Sequence, residues 1–416
     1  MRAFGVRLAH RQRLSATALA AALLALGSAH AAPDEDLLGK AEGYPLCPKS
    51  LRPEPRCLVG LVSRLDEIYP ARVVKRGEWV RPLARAPSEP AIRYRHGNET
   101  GGVDDYLAHN RATGLLVAAG DTILVERYQY DRTAAHRMHS FSMAKTVVAM
   151  LVGIALAEGK IRSLDDRAEA YVPALLGTPY GQTRLSHLLT MSSGVRFVEN
   201  YSGVDDVAEL ARLSLGGESA GGPATVLPFR TRERAAGERF SYSSAETQVL
   251  GLVLRGATGR LPADYLSEKI WQPMGAEADA SWLVDAGGYE AAYSGINATL
   301  RDWARLGLLL ANDGAVAGRQ VIPAAWVRAA TTPAAKQFEP GMTGQMLGYG
   351  YQVWLLGGPD REFVLRGLRG QAVYVAPKAK LVMVQTAAGN VATPSTGELL
   401  SLWTGVQRSL AGAPPQ

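Results

Sequence analysis

The sequence predicts an α/β (α+β) fold: one central antiparallel sheet, built from both ends of a single large domain and flanked by helices, with an all-helical domain inserted between the two sets of strands. Three observations carry this. Strand-like segments cluster near residues 114–128 and again between 349 and 386. The stretch between them is dominated by helical apolar periodicity. With 47% of its 416 residues hydrophobic, the chain can also bury a substantial core, which excludes a disordered or fibrous protein.

Taken in order, residues 1–31 read as a secretory signal. Arg2, Arg7, Arg11 and Arg13 precede the apolar run 14–26, and Ala29-His30-Ala31 forms a small-residue cleavage site. The mature chain is therefore expected to be periplasmic or secreted, without stable membrane insertion, because that run is short for a spanning helix and no cysteine follows it to accept a lipid. An uncleaved anchor is the alternative. Without the four arginines the formal charge falls from +6 to about +2, and no basic patch interleaved with aromatics is left to bind nucleic acid. Residues 32–104 form a Pro-rich extension without sustained periodicity, expected to wrap on the main domain. It carries Cys47 and Cys57, close enough in an exported chain to suggest a local disulfide, and two thiols alone cannot complete a zinc shell.

The main domain is expected over 105–412, with the sheet drawn from about 105–135 and 300–412 and the helical insertion from about 136–299. A hairpin is predicted from 114–119 and 122–128 around Gly120-Asp121. A long helix follows over 142–158, with Gly159 as its stop. Further helices are predicted at 204–215, 244–258, 262–273 and 299–312, and the pairs Ser243 with Glu246 and Thr299 with Asp302 read as capping boxes. Strands are predicted at 349–356, 362–366, 371–375 and 381–386, then a last helix at 396–409.

Two serines compete as nucleophile. Gly217-Glu-Ser219-Ala-Gly221 imitates the Gly-x-Ser-x-Gly elbow, but a helix-like segment precedes it and Gly221-Gly-Pro follows it. The last histidine of the chain is His187, so no base follows Ser219 in the order that architecture requires. Ser142-Met-Ala-Lys145, at the start of a strongly periodic helix, places the two side chains on one face, where a neutral lysine amine can take the serine proton. Burial lowers an amine's pKa enough for that, and the helix start supplies N–H groups where an oxyanion would develop. The bland reading makes Ser142 a helix cap.

Downstream stand Gly237-Glu-Arg-Phe-Ser-Tyr242-Ser-Ser244 and Arg366-Gly-Leu368-Arg-Gly370-Gln371. With these, the sequence resembles the penicillin-recognising serine hydrolases of the class C β-lactamase fold. The segments Leu185-Ser-His-Leu-Leu-Thr-Met-Ser-Ser-Gly194, Leu164-Asp-Asp-Arg with Tyr171-Val-Pro, and 294–307 are similar to that family's too. Ile270-Trp-Gln-Pro-Met-Gly275 with Asp279-Ala-Ser-Trp282 looks most like the branch of 6-aminohexanoate-dimer hydrolase and related esterases. The resemblance covers about 105–410. It implies a β-lactamase/transpeptidase-like fold, Ser142 as acylated nucleophile, Lys145 as proton acceptor and Tyr242 as a second relay group. Backbone N–H groups of Ser142 and Gln371 would form the oxyanion hole, with Gln371 on the strand that carries Leu368-Arg369-Gly370 and its side chain dispensable. Ser244, Leu368 and Gly370 are substrate-binding candidates.

Two departures redirect the function. The family's Tyr-x-Asn stands here as Tyr242-Ser243-Ser244, and its Lys-Thr-Gly or His-x-Gly as Leu368-Arg369-Gly370, without the cation at its usual place. Arg366 or Arg369 could substitute, but strand alternation would turn Arg369 away from the side of Leu368. The expectation is an exported hydrolase of a small ester or linear amide, with no metal or organic cofactor. A β-lactamase or D-alanyl-D-alanine carboxypeptidase is one alternative; an inactive envelope ligand-binding protein of the same fold is another. Asp165-Asp166, His136, His139 and His187 are expected in loop or packing roles, and Asn297 as a brace near the sheet. Trp271, Trp282 and Trp354 are read as core residues or as pocket lining.

Overall fold

Long apolar strands, buried on both faces, place the sheet at the centre of the domain. The computed structural model describes residues 1, 31–49, 53–391 and 396–412, so the expected signal segment, apart from its end residues, lies outside the described residues. All elements below belong to the unit Ala32–Gln416. The extension supplies helix α1 (Leu58–Arg64) and strands β1 (Ala71–Val74) and β2 (Ala84–Arg85). The hairpin forms as β3 (Ala112–Ala119) and β4 (Thr122–Tyr128), and β5 (Arg137–His139) leads into helix α2 (Met143–Ala157). Helices α3 (Asp206–Ser214) and α4 (Ser244–Thr258) precede β6 (Ala280–Leu283), β7 (Ile296–Thr299) and helix α5 (Leu300–Ala311). Strands β8 (Gly348–Tyr349), β9 (Trp354–Leu355), β10 (Phe363–Gly367), β11 (Gln371–Ala376) and β12 (Leu381–Ala387) are followed by helix α6 (Thr396–Leu410).

The large sheet runs β8-β9-β10-β11-β12-β3-β4-β2. Its neighbours are antiparallel except β2, which pairs parallel with β4. The join is the ladder of β12 on β3, from Leu381 opposite Ala119 to Ala387 opposite Ala112, so strands far apart in sequence close one sheet. On β3, Leu116 and Ala118 face the core shared with α2 and α5, while Leu115 and Val117 face the core shared with α6. On β12, Val382 and Val384 oppose Leu381 and Met383 in the same way. Both faces are buried, which is why these strands read as continuous apolar runs. Helix α5 lies close on the sheet because residue 307 is glycine: a Cβ there would stand 2.8 Å from Val373 Cγ1.

Several expectations are corrected. The stretch 136–299 is not all-helical, since β5, β6 and β7 join β1 in a second, four-stranded sheet ordered β1-β6-β7-β5. Each of these strands has three or four residues, too few for a two-residue period to register, and their ladders come from distant partners. The stretch 349–356 is broken into β8 and β9 by a turn in which Gln352 has φ 58°. Ser243 makes no capping bond at α4, and Glu246 turns instead to the Ser193 hydroxyl at 2.6 Å. Thr299 does cap α5, accepting from the Asp302 N–H at 3.1 Å. Cys47 and Cys57 are joined in a disulfide ahead of α1.

Candidate active site

The segment ahead of α2 is held in a strained, fixed conformation. Ser140 donates its N–H to the Ile296 carbonyl at 2.7 Å, and its hydroxyl accepts from the Ile296 N–H at 3.2 Å, tying the loop to β7. Phe141 then adopts φ 43° with its ring edge-on to His139, the centroids 4.6 Å apart. A non-glycine residue in that region costs about 1–3 kcal/mol and persists only where neighbours enforce it. The next residue, Ser142, sits at the N-cap position of α2 but makes no capping bond with its side chain. Its hydroxyl points elsewhere.

That hydroxyl lies 3.0 Å from Lys145 Nζ, one helical turn on. Lys145 is buried, and its amine reaches the Ser244 hydroxyl at 2.9 Å and the Tyr293 carbonyl at 2.9 Å. Once the amine is neutral, its two N–H groups can stay on Ser244 and Tyr293, which leaves the lone pair for the Ser142 proton. Burial pushes the Lys145 pKa down to about 8, against the opposing pull of the Glu199 carboxylate. Glu199 accepts from the Ser244 hydroxyl at 2.9 Å, the Ser244 N–H at 2.8 Å and the Tyr201 hydroxyl at 2.9 Å. A carboxylate from 45 residues upstream thus stands at the N-terminus of α4, where the helix dipole favours it and where the Ser243–Glu246 box was expected.

Tyr242 precedes that helix and lines the same cavity as Ser142. Its ring stacks on Trp354 at 5.4 Å, stands edge-on to Tyr349 at 6.1 Å and lies under Lys145 Nζ at 5.2 Å. Burial first, and Glu199 second, push its phenol pKa up, so near neutral pH it stays protonated. It can pass a proton but is no standing base.

Across the cleft, β10 ends at Gly367, where a Cβ would meet the Ser140 carbonyl at 2.3 Å; glycine lets the strand approach the nucleophile loop. Leu368–Gly370 is a tight turn, with Arg369 at φ 65° and Gly370 at φ 93°, and β11 begins only at Gln371. The strand-alternation expectation for Arg369 therefore fails: Leu368 and Arg369 line the same cavity, and Arg369 also donates to the Gly389 carbonyl at 3.1 Å. Nor is the Gln371 side chain idle. It donates to the Ala387 carbonyl at 2.6 Å and accepts from the Ala387 N–H at 3.1 Å, filling the ladder where β12 bulges.

A cavity of about 300 Å³ gathers Ser142, Tyr242, Leu368, Gly370, Gln371, Glu199 and Tyr201, with Arg366 placed over the Trp354 ring. Ser244 and Lys145 lie behind this wall. The sequence-predicted catalytic and binding residues are thereby brought together, whereas Glu199, Tyr201 and Tyr293 were not foreseen. No periodicity marks them; only the position of Glu199-Asn-Tyr201 just past Gly194 could have drawn notice.

Other candidates lie elsewhere. Ser219 is in a loop after α3, its hydroxyl donating to the Leu213 carbonyl at 2.7 Å and accepting from the Gly221 N–H at 3.0 Å. Asp165 pairs with Arg184, and Asp166 accepts from the Tyr171 hydroxyl. His139 is buried between Asn297 and Ser294, and burial lowers its pKa to about 4. Asn297 also donates to Ser281 and the Gly295 carbonyl, the bracing role expected of it. Trp271 and Trp282 are core residues, while Trp354 lines the cavity. Among the described residues no group of three His, Cys, Asp or Glu side chains could hold a metal ion, and no helix is long and apolar enough to cross a membrane.

Comparison with known proteins places this geometry. The family described as Beta-lactamase matches residues 103–400. The 6-aminohexanoate-dimer hydrolase of Paenarthrobacter ureafaciens is 27% identical over 334 residues, spanning 78% of this chain and 83% of that protein. A Bacillus anthracis structure described as a 6-aminohexanoate-dimer hydrolase superposes with a TM-score of 0.78 at 24% identity, over 92% of this chain and 99% of the other. A Bacteroides dorei structure described as a β-lactamase gives a TM-score of 0.56 at 20% identity, over 73% and 96%. At these identities the two structures establish the fold alone.

Proposed function

The chain belongs to the Beta-lactamase family, and from that premise we propose that it is an exported serine hydrolase, acylated on Ser142 by a small ester or linear amide. One observation carries the proposal: the buried Lys145 amine, its pKa pushed down to about 8, lies 3.0 Å from the Ser142 hydroxyl, with the Ser244 hydroxyl and the Tyr293 carbonyl each 2.9 Å away to accept two of its N–H groups. Lys145 takes the Ser142 proton as Oγ adds to the carbonyl carbon. The oxyanion meets the N–H groups of Ser142 and Gln371. The N–H groups of Met143, Ala144 and Lys145 are each taken by the carbonyl three residues back, which leaves that of Ser142 as the donor at the helix start. Tyr242 hands a proton to the departing alcohol or amine and recovers it from Lys145; water then repeats the addition and releases the acid.

The absence of an asparagine at 244 supports the ester or linear-amide reading over a β-lactam one, because Ser244 is already engaged by Lys145 and Glu199. Arg366 and Arg369 on the cavity wall favour a second reading, in which a substrate carboxylate is held as in a β-lactamase or D-alanyl-D-alanine carboxypeptidase. The Cys47–Cys57 disulfide supports an oxidising compartment, in keeping with export. A fluorophosphonate probe followed by peptide mass spectrometry tests the assignment, with esters, linear amides and β-lactams as competitors. Label on Ser142, lost in Ser142→Ala and kept in Ser219→Ala, is expected. Labelling lost only in Ser219→Ala, or faster turnover of a chromogenic cephalosporin than of a short ester, overturns it.

A further inference from the structure

A second cavity, of about 470 Å³, opens from the same serine. The two share Ser142, Glu199, Tyr201, Leu368, Arg369 and Val391 at their common mouth, but Tyr242 lines only the first. If Tyr242 protonates the leaving atom, the leaving group departs through the first cavity, and the second receives the acyl side. Beyond the mouth its walls are predominantly apolar: Leu61, Leu65 and Tyr69 from the extension face Val207, Ala211 and Leu215 along α3. The carboxylate and the imidazole there are already committed. Asp205 accepts from the N–H groups of Asn200, Tyr201 and Ala208, and His139 is held between Asn297 and Ser294. Among the described residues lining the chamber beyond the mouth, Asp205 is the one acidic or basic side chain besides the buried His139, and its carboxylate is already taken by three backbone N–H groups.

The extension wall is anchored rather than draped. Asp66, buried just after α1, accepts from Arg137 at 2.6 Å and from the Ser281 hydroxyl at 2.7 Å, joining the extension to β5 and β6. Arg132 donates to the Ser63 hydroxyl at 2.9 Å, and the disulfide closes the loop ahead of α1. Leu65 is thereby fixed on the same frame that carries Ser142.

We propose that this chamber is the acyl site, that it selects a neutral, unbranched acyl chain of medium length, and that the disulfide-clamped extension sets the length limit. With roughly half of the volume taken by the shared mouth and the ester group, the remainder at an interior packing density of ~0.74 holds a chain on the order of ten carbons. The inference rests on acylation at Ser142, and the test separates the two. For p-nitrophenyl esters from acetate to tetradecanoate, kcat/KM of the mature protein is expected to climb by up to about fourfold per methylene, the equivalent of ~0.8 kcal/mol, to a maximum near octanoate or decanoate and then fall. A 6-aminohexanoyl ester, positively charged at its end, is expected to be at least tenfold poorer than the heptanoyl ester. Leu65→Trp and Ala211→Trp, on opposite walls, should each move the maximum to shorter chains and cut the octanoate-to-butyrate ratio about tenfold. Should neither variant fold, n-alkyl boronic acids on the wild type give the same reading, with Ki falling from methyl to octyl. A flat chain-length profile, preference for the 6-aminohexanoyl ester, or an unmoved maximum in both folded variants overturns the chamber while Ser142 labelling persists. No hydrolysis at any length together with no label on Ser142 overturns the serine reading, and this one with it.

Discussion

Replacing Glu199 by glutamine is expected to move the alkaline rise of activity to lower pH, because Glu199 holds the Lys145 proton on. Lys145 Nζ and Glu199 Oε1 are linked through the Ser244 hydroxyl by two contacts of 2.9 Å, which puts the charges ~5 Å apart. At an effective dielectric of ~20 that separation is worth about 3 kcal/mol. Glu199 is half-buried, so solvent and salt remove roughly half of it, and the remainder corresponds to about one pH unit. The sign follows from the base: only the neutral amine accepts the Ser142 proton, so kcat/KM rises as pH passes through about 8 in the wild type. Removing the carboxylate favours the neutral amine, and the rise should begin about one unit lower. The glutamine also presents an N–H to one of the donors that Glu199 now satisfies, so the start of α4 weakens by about 1 kcal/mol and the plateau falls. The assay is kcat/KM against a short ester from pH 5.5 to 10 at low and high salt, in which the position of the rise is independent of the plateau. A rise that stays in place or moves to higher pH, in a variant that still melts cooperatively, refutes the coupling of Glu199 to Lys145.

Other consequences are open to measurement. Tyr242→Phe removes the proton relay but keeps the ring stacked on Trp354, so kcat should fall by about 10²–10⁴-fold with little change in KM, as steady-state kinetics would report. Glu246 is buried with Oε1 on Ser193 and Oε2 without a partner, and burial raises its pKa from 4.5 to about 8. The folded protein therefore keeps a proton there that the unfolded chain loses, and stability should decline from about pH 4.5 to 8, by up to about 1.4 kcal/mol per pH unit at its steepest. Glu246→Gln should flatten that decline in thermal melts across the same range. Opening the Cys47–Cys57 loop in a Cys47→Ser/Cys57→Ser double variant should cost about 3 kcal/mol if the extension unfolds with the rest, read as a lower denaturation midpoint. Gln371→Ala leaves Ala387 without its side-chain partners at the bulge and should lower kcat without abolishing Ser142 labelling.

What the sequence determined by itself was whatever local pattern can specify. Helical periodicity located α2, α4 and α5, and short apolar runs bounded by turn residues, alternating only in β4, located the β3–β4 hairpin and β10 to β12. The three-residue spacing put Lys145 on the face of Ser142, because one helical turn is a local geometry. The missing downstream histidine dismissed Ser219 for the same reason, since a required partner can be checked by reading alone. The tertiary structure decided everything that depends on which distant atoms meet. Glu199 reaches the start of α4 from another loop, Gly367 brings the turn at 368–370 against Ser140, and the extension enters both sheets and walls the second cavity. The strands β5, β6 and β7 were hidden because three or four residues carry no readable period and are stabilised by partners elsewhere in the chain. Arg369 was misplaced because a left-handed turn, not a strand, sets its direction. The Lys145 pKa belongs to the same class: it depends on burial and on charges about 5 Å away, and those exist only once the chain has folded.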